Sequence, residues 1–574
     1  MPRAKKTLFQ GGFFLHILAG IKEQISAALT QAAERARNAG DLYYKELPDF
    51  VVEVPREKTH GDFASNLAML LAKEAKRPPR QVADLLVNYI NKNNTWIDRV
   101  MVAGPGFINF TLDYRWLYRV PAHVVTENAF YGRSNLGFGA RVQVEFVSAN
   151  PTGLLHMGNA RGAALGDSIA ALLQAVGFEV TREFYINDAG NQIVNFGRSL
   201  EARYLQLLGC QVPFPEEGYH GEDVVDTMRR LVAEAGDAYA AMDPAARQEA
   251  LIKYALREKM SAIRETLNRF GVRYDVWFSE QELHEVGAVN EVIAKLRGQE
   301  YVYEQDGALW FKATAFGDEK DEVVVRTNGV PTYFAADIAY HRNKFQRGFQ
   351  WIIDIWGADH HGHVSRMKGA MAALGYNPDQ LDVVLMQLVR LVQGGEVLRM
   401  SKRTGQYITL QELIDEVGVD AARYFFVMRS PDSHLEFDLD LAKSQTAENP
   451  VYYVQYAHAR ISSILRQAGE QGYTMPKAGL VEMNVLTHPS ELELIRKIAD
   501  YPDVVAGAAQ NLEPHRLTKY AQDLAALFHV FYTNCRVLVD EEPLRQARLV
   551  LIEATRITLR NLLGLIGVSA PERM

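Results

Sequence analysis

Two stretches of polar residues, far apart in the chain, have the make-up of phosphate-handling sites. The first runs Asn150, Pro151, Thr152, Gly153, Leu154, Leu155, His156, Met157, Gly158, Asn159, between an alternating apolar segment and a helical pattern. Imidazole and amide donors at a helix start, beside a glycine that lets backbone approach closely, suit phosphate oxygens where the helix dipole favours negative charge. The second runs Arg399, Met400, Ser401, Lys402, Arg403, Thr404, Gly405, after a Gly394-Gly395 turn. Three cations in five residues suit a loop that closes over a pentavalent phosphorus. Taken alone, that run reads better as a solvated charged turn. No G-x-x-x-x-G-K-[ST] and no strand-linked G-x-G-x-x-G occurs, which excludes the usual P-loop and dinucleotide routes.

A third segment, Gly357, Ala358, Asp359, His360, His361, Gly362, His363, follows the apolar run 352–355. Loops at the carboxyl ends of parallel strands collect ligands. A metal is the competing use of these histidines, but no helical i, i+4 pair is present and none is expected. Acidic residues inside apolar segments complete the set: Glu145 within 142–147, and Asp337 within 333–340, one helical turn after Tyr333. A buried carboxylate either meets a cationic ligand or pairs with an internal Lys or Arg, and both readings stay open for each.

These residues need elements to hold them. The segment 142–147 reads as a strand, 160–176 as a helix stopped by Gly177, and 180–186 as a second strand. That unit predicts a doubly wound, parallel, Rossmann-like sheet across 136–417, with sheet-type sequence resuming at 323–325 and 351–356 and a charged helical insertion near 213–270. Before it, 19–135 mixes helices with short strands as an N-terminal α+β module, bounded by the glycine-rich 132–139. From 418 to 574 long helical patterns predict a C-terminal helical bundle, so the fold class is multidomain α/β. Within it Tyr452, Tyr453, Tyr456, His458 and Arg460 share one helix, either to stack splayed-out RNA bases or as a plain helix interface. Arg545, Arg548, Arg556 and Arg560 fall near one face of another helix, as phosphate contacts or solubilising charges.

The 574 residues carry 62 Lys and Arg against 70 Asp and Glu, a net charge of −8, so any polyanion must be held by local patches. Cys210 and Cys535 stand alone, without zinc-finger spacing, which points to a reducing compartment and no zinc. No apolar run reaches the roughly 18 residues of a membrane span, and residues 1–18 imitate a signal peptide without a cleavage site, so a poorly ordered leader is expected.

Together the segments resemble the signatures of class I aminoacyl-tRNA synthetases. His156, Gly158 and Asn159 match His-Ile-Gly-His, with Met157 for Ile and Asn159 for the second His. Lys402 matches the second lysine of Lys-Met-Ser-Lys-Ser, about 240 residues later, with Arg399 and Arg403 at its ends. Glu145-Phe146-x-Ser148-x-Asn150 and Tyr333-x-x-x-Asp337 are similar to the bacterial arginyl-tRNA synthetase family, as are Gly61-Asp62-Phe63 with Asn66, Gly104-Pro105-Gly106-Phe107 and the segment 449–460. The resemblance implies a ligase that joins L-arginine to its tRNA through an arginyl-adenylate, using ATP with Mg²⁺. It implies catalytic roles for His156, Asn159 and Lys402, and ATP contacts for Gly158, Gly357, Asp359, His360, Met400 and Ser401. Glu145, Asn150, Tyr333 and Asp337 are then expected at the arginine, and Tyr456 and Arg460 at the RNA. A cytoplasmic monomer is expected. The competing functions are a class I synthetase for another amino acid, a small nucleotidyl transferase, or a non-catalytic tRNA-binding relative. Small transferases lack the two flanking modules, and a dead relative would have lost His156 or Lys402.

Overall fold

Apolar alternation on one face gives the N-terminal module an antiparallel sheet, order β1-β2-β4-β3, from β1 (Val52–Glu53), β2 (Phe63–Ser65), β3 (Ile97–Ala103) and β4 (Phe107–Leu112). It packs with α1 (Ile17–Asn38), α2 (Leu67–Ala75) and α3 (Pro79–Tyr89). The coordinates are a computed structural model that describes residues 17–55, 57–398 and 408–574.

The central sheet is five-stranded and wholly parallel. Its strands are β5 (Arg141–Glu145), β6 (Glu179–Ile186), β7 (Val276–Ser279), β11 (Trp351–Gly357) and β12 (Leu381–Met386), in the order β12-β11-β5-β6-β7. The chain therefore reverses its direction of travel across the sheet between β5 and β11, the switch point at which doubly wound sheets bind ligands. Helix α4 (Met157–Ala175) returns the chain from β5 to β6, as the 160–176 pattern predicts. Between β6 and β7 lie α5 (Gly190–Leu207), α6 (Glu222–Ala235) and α7 (Pro244–Arg269), with their own small core of Phe196, Leu200, Tyr204, Val224, Met228 and Leu231.

Two segments differ from the sequence reading. Residues 323–325 do not rejoin the parallel sheet: β10 (Glu322–Val325) pairs antiparallel in a separate sheet with β9 (Ala308–Phe311), which pairs β8 (Val302–Gln305). Strand periodicity reports a pleated, half-buried surface and not which sheet supplies it. Past residue 418, β15 (Leu435–Asp438) runs parallel to β13 (Val389–Gln393), itself in a hairpin with β14 (Glu396–Val397), so α/β structure persists there. Two central helices carry site residues, α8 (Tyr333–Gln346) and α9 (His361–Ala373). The bundle follows as α10 (Pro450–Glu470), α11 (Pro489–Ala499), α12 (Tyr501–Asn511), α13 (His515–Asn534) and α14 (Glu542–Leu565). Among the described residues no helix is long and apolar enough to cross a membrane.

The first and last modules touch directly. Lys22 pairs with Asp503 at 2.6 Å, Arg496 with Asp62, and Tyr131 Oη donates to the Ile498 carbonyl at 2.7 Å. At this junction burial pushes the Asp500 carboxyl up to about 6, against the pull of Lys497. A folded-state value above the unfolded one means that Asp500 favours folding when protonated, below about pH 4, and loses that contribution as pH rises through 6. Asp500→Asn should therefore raise the melting temperature by a few degrees at pH 7.5 and leave it unchanged at pH 4. Matching melting curves at pH 7.5 would remove Asp500 as a source of strain.

Candidate active site

Beyond β5 the backbone turns through two left-handed residues, Val147 at φ 71° and Ser148 at φ 40°. A β-branched residue there is strained and persists only where its surroundings fix it. Ser148 Oγ donates to Glu145 Oε1 at 2.7 Å and accepts from the Tyr185 N–H at 3.2 Å. The chain then reaches His156, the N-cap of α4. Its Nδ1 accepts from the Gly158 N–H at 3.2 Å, while Asn159 Oδ1 accepts from the His156 N–H at 3.0 Å, a reciprocal capping box. With Nδ1 accepting, Nε2 carries the ring proton and is the donor. With its carbonyl used in the cap, Asn159 keeps its amide hydrogens for donation. A Cβ on Gly158 would stand 3.2 Å from the imidazole, so glycine is what lets the ring fold over the helix end.

Met400, Ser401 and Lys402 lie outside the described residues. The segment that follows them is joined to the histidine turn: Thr409 bridges His156, and the Leu410 N–H donates to the Leu155 carbonyl at 2.8 Å. On the adjacent strand, Gly357 ends β11, and Asp359 and His360 stand exposed in one short turn, 3.7 Å apart, before α9. The histidine turn and this turn thus leave neighbouring strands at the switch point.

A second set of contacts runs across the carboxyl ends of β5, β6 and β7. Asn150 Nδ2 donates to Gln192 Oε1 at 2.8 Å; Asp188 accepts from Ser279 Oγ at 2.7 Å. Tyr333, at the start of α8, stands within 3.6 Å of where a Cβ on Gly190 would sit, and Asp337, one turn on, lies 3.1 Å from His363 Nε2. Glu280, just past β7, is buried, with His284 Nε2 3.5 Å from its carboxylate. Burial and the like charge of Asp337 push the Glu280 carboxyl up. Each carboxylate has an imidazole beside it, His284 at Glu280 and His363 at Asp337, and a permanent cation between them answers the repulsion that remains. Glu280 escaped the sequence reading because it sits in a polar run, Ser279-Glu280-Gln281-Glu282, where nothing marks it as buried.

Glu145, expected at the arginine, has both oxygens engaged internally: Oε1 by Ser148 and Oε2 by Lys344 Nζ at 2.5 Å. The internal ion pair left open by the sequence is the reading its geometry takes. His363 faces Asp337 and not the turn of Asp359 and His360.

On the bundle, Tyr452 and Tyr456 stack at 6.2 Å, Tyr456 stacks on His529 at 6.1 Å, and Arg460 lies between the rings of Tyr456 and Tyr532. His458, by contrast, points inward to the Pro571 carbonyl at 2.9 Å. The arginines of α14 are also tied down: Arg548 to Glu491, Arg556 to Glu553, Arg560 to Asn128 and Arg545 to the Val539 carbonyl. They brace the bundle.

Residues 122–462 match the model of the tRNA synthetases class I (R) catalytic domain, more than half of the chain. The chain belongs to the arginyl-tRNA synthetases. Residues 19–112 match the arginyl-tRNA synthetase N-terminal domain and 454–574 the DALR anticodon binding domain. The arginine–tRNA ligase of Moorella thermoacetica is 67% identical over 560 residues, covering 98% of this chain and 100% of its own, and that of Heliobacterium modesticaldum is 65% identical over 564 residues, with the same coverage. The arginyl-tRNA synthetase structure from Thermus thermophilus shares the fold at TM-score 0.73 and 24% identity, covering 96% of this chain and all of that one. This synthetase thus places its histidine turn and its acidic residues at the carboxyl ends of adjoining strands of one sheet.

Proposed function

We propose that this synthetase joins L-arginine to its cognate tRNA in two steps on the surface just described. The arginine carboxylate attacks the α-phosphorus of ATP, the bond to the bridging oxygen breaks, and pyrophosphate leaves. A terminal ribose hydroxyl of the tRNA then attacks the arginyl carbonyl and AMP departs. The observation that carries the reading is the pair of carboxylates, Glu280 and Asp337, set beside Tyr185 and Tyr333 and one strand-end away from a phosphate turn. A planar guanidinium with five donors relieves their repulsion and is matched by their acceptors.

In this reading Asp337, Tyr333 and Glu280 hold the guanidinium, and Asn150 holds the α-ammonium or carboxylate end. Glu145 acts one layer behind them. His156 Nε2 and the Asn159 amide hold phosphate oxygens, Gly158 leaves room for the nucleotide, and Gly357, Asp359 and His360 take its ribose. Lys402, flanked by Met400 and Ser401, neutralises charge developing on the departing pyrophosphate. Magnesium neutralises the triphosphate when ATP is bound. Tyr456 and Arg460, with Tyr452, His529 and Tyr532 around them, offer stacking faces to bases of the RNA. The N-terminal module, buttressed on α11 and α12, makes the second RNA contact. The synthetase works as a monomer in the cytoplasm.

Aminoacylation of mixed tRNA with each amino acid in turn is the direct test. Charging with arginine alone is expected, and charging with any other amino acid would overturn the pocket. Glu280→Gln should raise the arginine KM about tenfold or more while leaving the ATP KM in place, since a hydrogen bond to a charge is worth roughly 1.5–3 kcal/mol. An unchanged arginine KM would make Glu280 a structural acid. Lys402→Ala should lower kcat about 100-fold, roughly 3 kcal/mol of barrier, with little change in ATP affinity. A kcat near that of the wild type would take Lys402 out of the reaction.

A further inference from the structure

Three acidic side chains lie in a row across the middle of the parallel sheet. Glu183 on β6 is the register partner of Glu145 on β5, and Glu145 is the partner of Asp354 on β11. All three are buried. One stripe of helix α8 covers them, carrying Tyr340, His341 and Lys344, with Arg347 just beyond. Tyr340 Oη donates to Glu183 Oε1 at 2.6 Å, and Arg347 donates to both Glu183 oxygens at 2.5 and 2.8 Å. Lys344 Nζ is wholly buried and shared, 2.5 Å from Glu145 Oε2 and 2.7 Å from Asp354 Oδ1. His341 spans Asp354 Oδ2 and the main-chain carbonyl of Asp337, each at 2.8 Å.

The N-terminal end of the same stripe carries Tyr333 and Asp337. Glu145, through its other oxygen, holds Ser148 in the strained turn that opens the phosphate segment. One ammonium therefore sits between the helix that faces the amino acid and the turn that faces the nucleotide. A helix packed by apolar contact alone could slide by a fraction of an ångström at small cost. A buried cation held by two carboxylates at register-paired positions cannot.

We propose that Lys344 is a positioning residue that sets the distance between the arginine-binding side chains and the phosphate turn, with Asp354 as the anchor that fixes the ammonium. The proposal rests on the arginine-pocket reading given above. Lys344 touches neither substrate. It brings the arginine carboxylate to the α-phosphorus, so its loss appears in the rate at which two correctly bound substrates react and not in the binding of either.

Lys344→Met leaves Glu145 without a counter-ion and Asp354 with His341 alone, and the chain can fail to fold for that reason alone. Asp354→Asn keeps the shape and leaves Lys344 with Glu145, and it is the informative variant. Tyr340→Phe is its control, because it removes a buried hydrogen bond from the same helix without touching the Lys344 link. Aminoacylation kinetics on the full-length enzyme with saturating tRNA, well below each melting temperature and normalised to the number of arginine-binding sites counted by calorimetry, give the readout. For Asp354→Asn kcat should fall about tenfold or more while both KM values stay within about twofold. Tyr340→Phe should lower the melting temperature and leave kcat per site unchanged. Equal loss of kcat in the two variants, an unchanged kcat in Asp354→Asn, or a change confined to the arginine KM would each overturn the proposal. Failure of the pocket reading is seen separately, in the response of the arginine KM to Glu280→Gln.

Discussion

A shared buried ammonium, Lys344 between Glu145 and Asp354, is the constraint on which the geometry of the catalytic centre depends. Taking such groups out of water costs several kcal/mol per ion, and their mutual attraction returns that only with good geometry. The two carboxylates respond differently. Burial raises Asp354, but Lys344 and His341 together outweigh it and hold the carboxyl at about 2. Burial and the neighbouring Asp354 push Glu145 up, and its single ammonium does not offset them. An apolar core of the same volume would bind the helix to the sheet as firmly. What it would not do is fix the register of α8 against two strands at once, which is the property a two-substrate site needs.

That site lies astride the reversal of strand order. The β5 turn and the β11 turn diverge there, and α4 begins with a cap built from its own signature residues. Asn159 stands where the family motif has a second histidine, and the cap gives a physical account of the exchange. Its carbonyl completes the box with the His156 N–H, a role for an acceptor, while the amide hydrogens retain a donor role. What the exchange gives up is the option of positive charge at that position.

Much of this was legible in the sequence because it is carried by local patterns. The strand 142–147, the helix 160–176 and the later helices are announced by periodicity and glycine stops, and acids stranded in apolar segments drew attention to Glu145 and Asp337. Periodicity could not say what those acids meet. The partner of Glu145 is 199 residues away in sequence, and its capture by Lys344 depends on two strands and a helix meeting at one register. Glu280 was invisible for the opposite reason: its neighbours in sequence are polar, and only the fold buries it. The same gap between pattern and partner explains 323–325, a good strand in another sheet. It also explains the arginines of α14, which share a face but find acceptors on the protein itself, Arg548 and Arg556 within the bundle and Arg560 at Asn128 of the first module.

The stacked rings on the bundle follow a different economy from the acids on the sheet. Tyr456 and Tyr532 are each 37% exposed, and Arg460 lies 5.3 Å and 4.4 Å over their rings, so a cation and two π-faces are already arranged in a stack open to solvent. Side chains held in this way lose little further freedom when a base slides among them, which is how a shallow surface can bind without a deep pocket. Glu280, in contrast, is buried and Asp337 half-buried against His363, so a charge between them is less screened than one at the open face. One chain thus separates two recognition problems physically. In the proposed function a small cation meets carboxylates on α8 and just past β7, and the RNA meets exposed rings on the bundle, while the overall charge of −8 leaves long-range attraction to local patches.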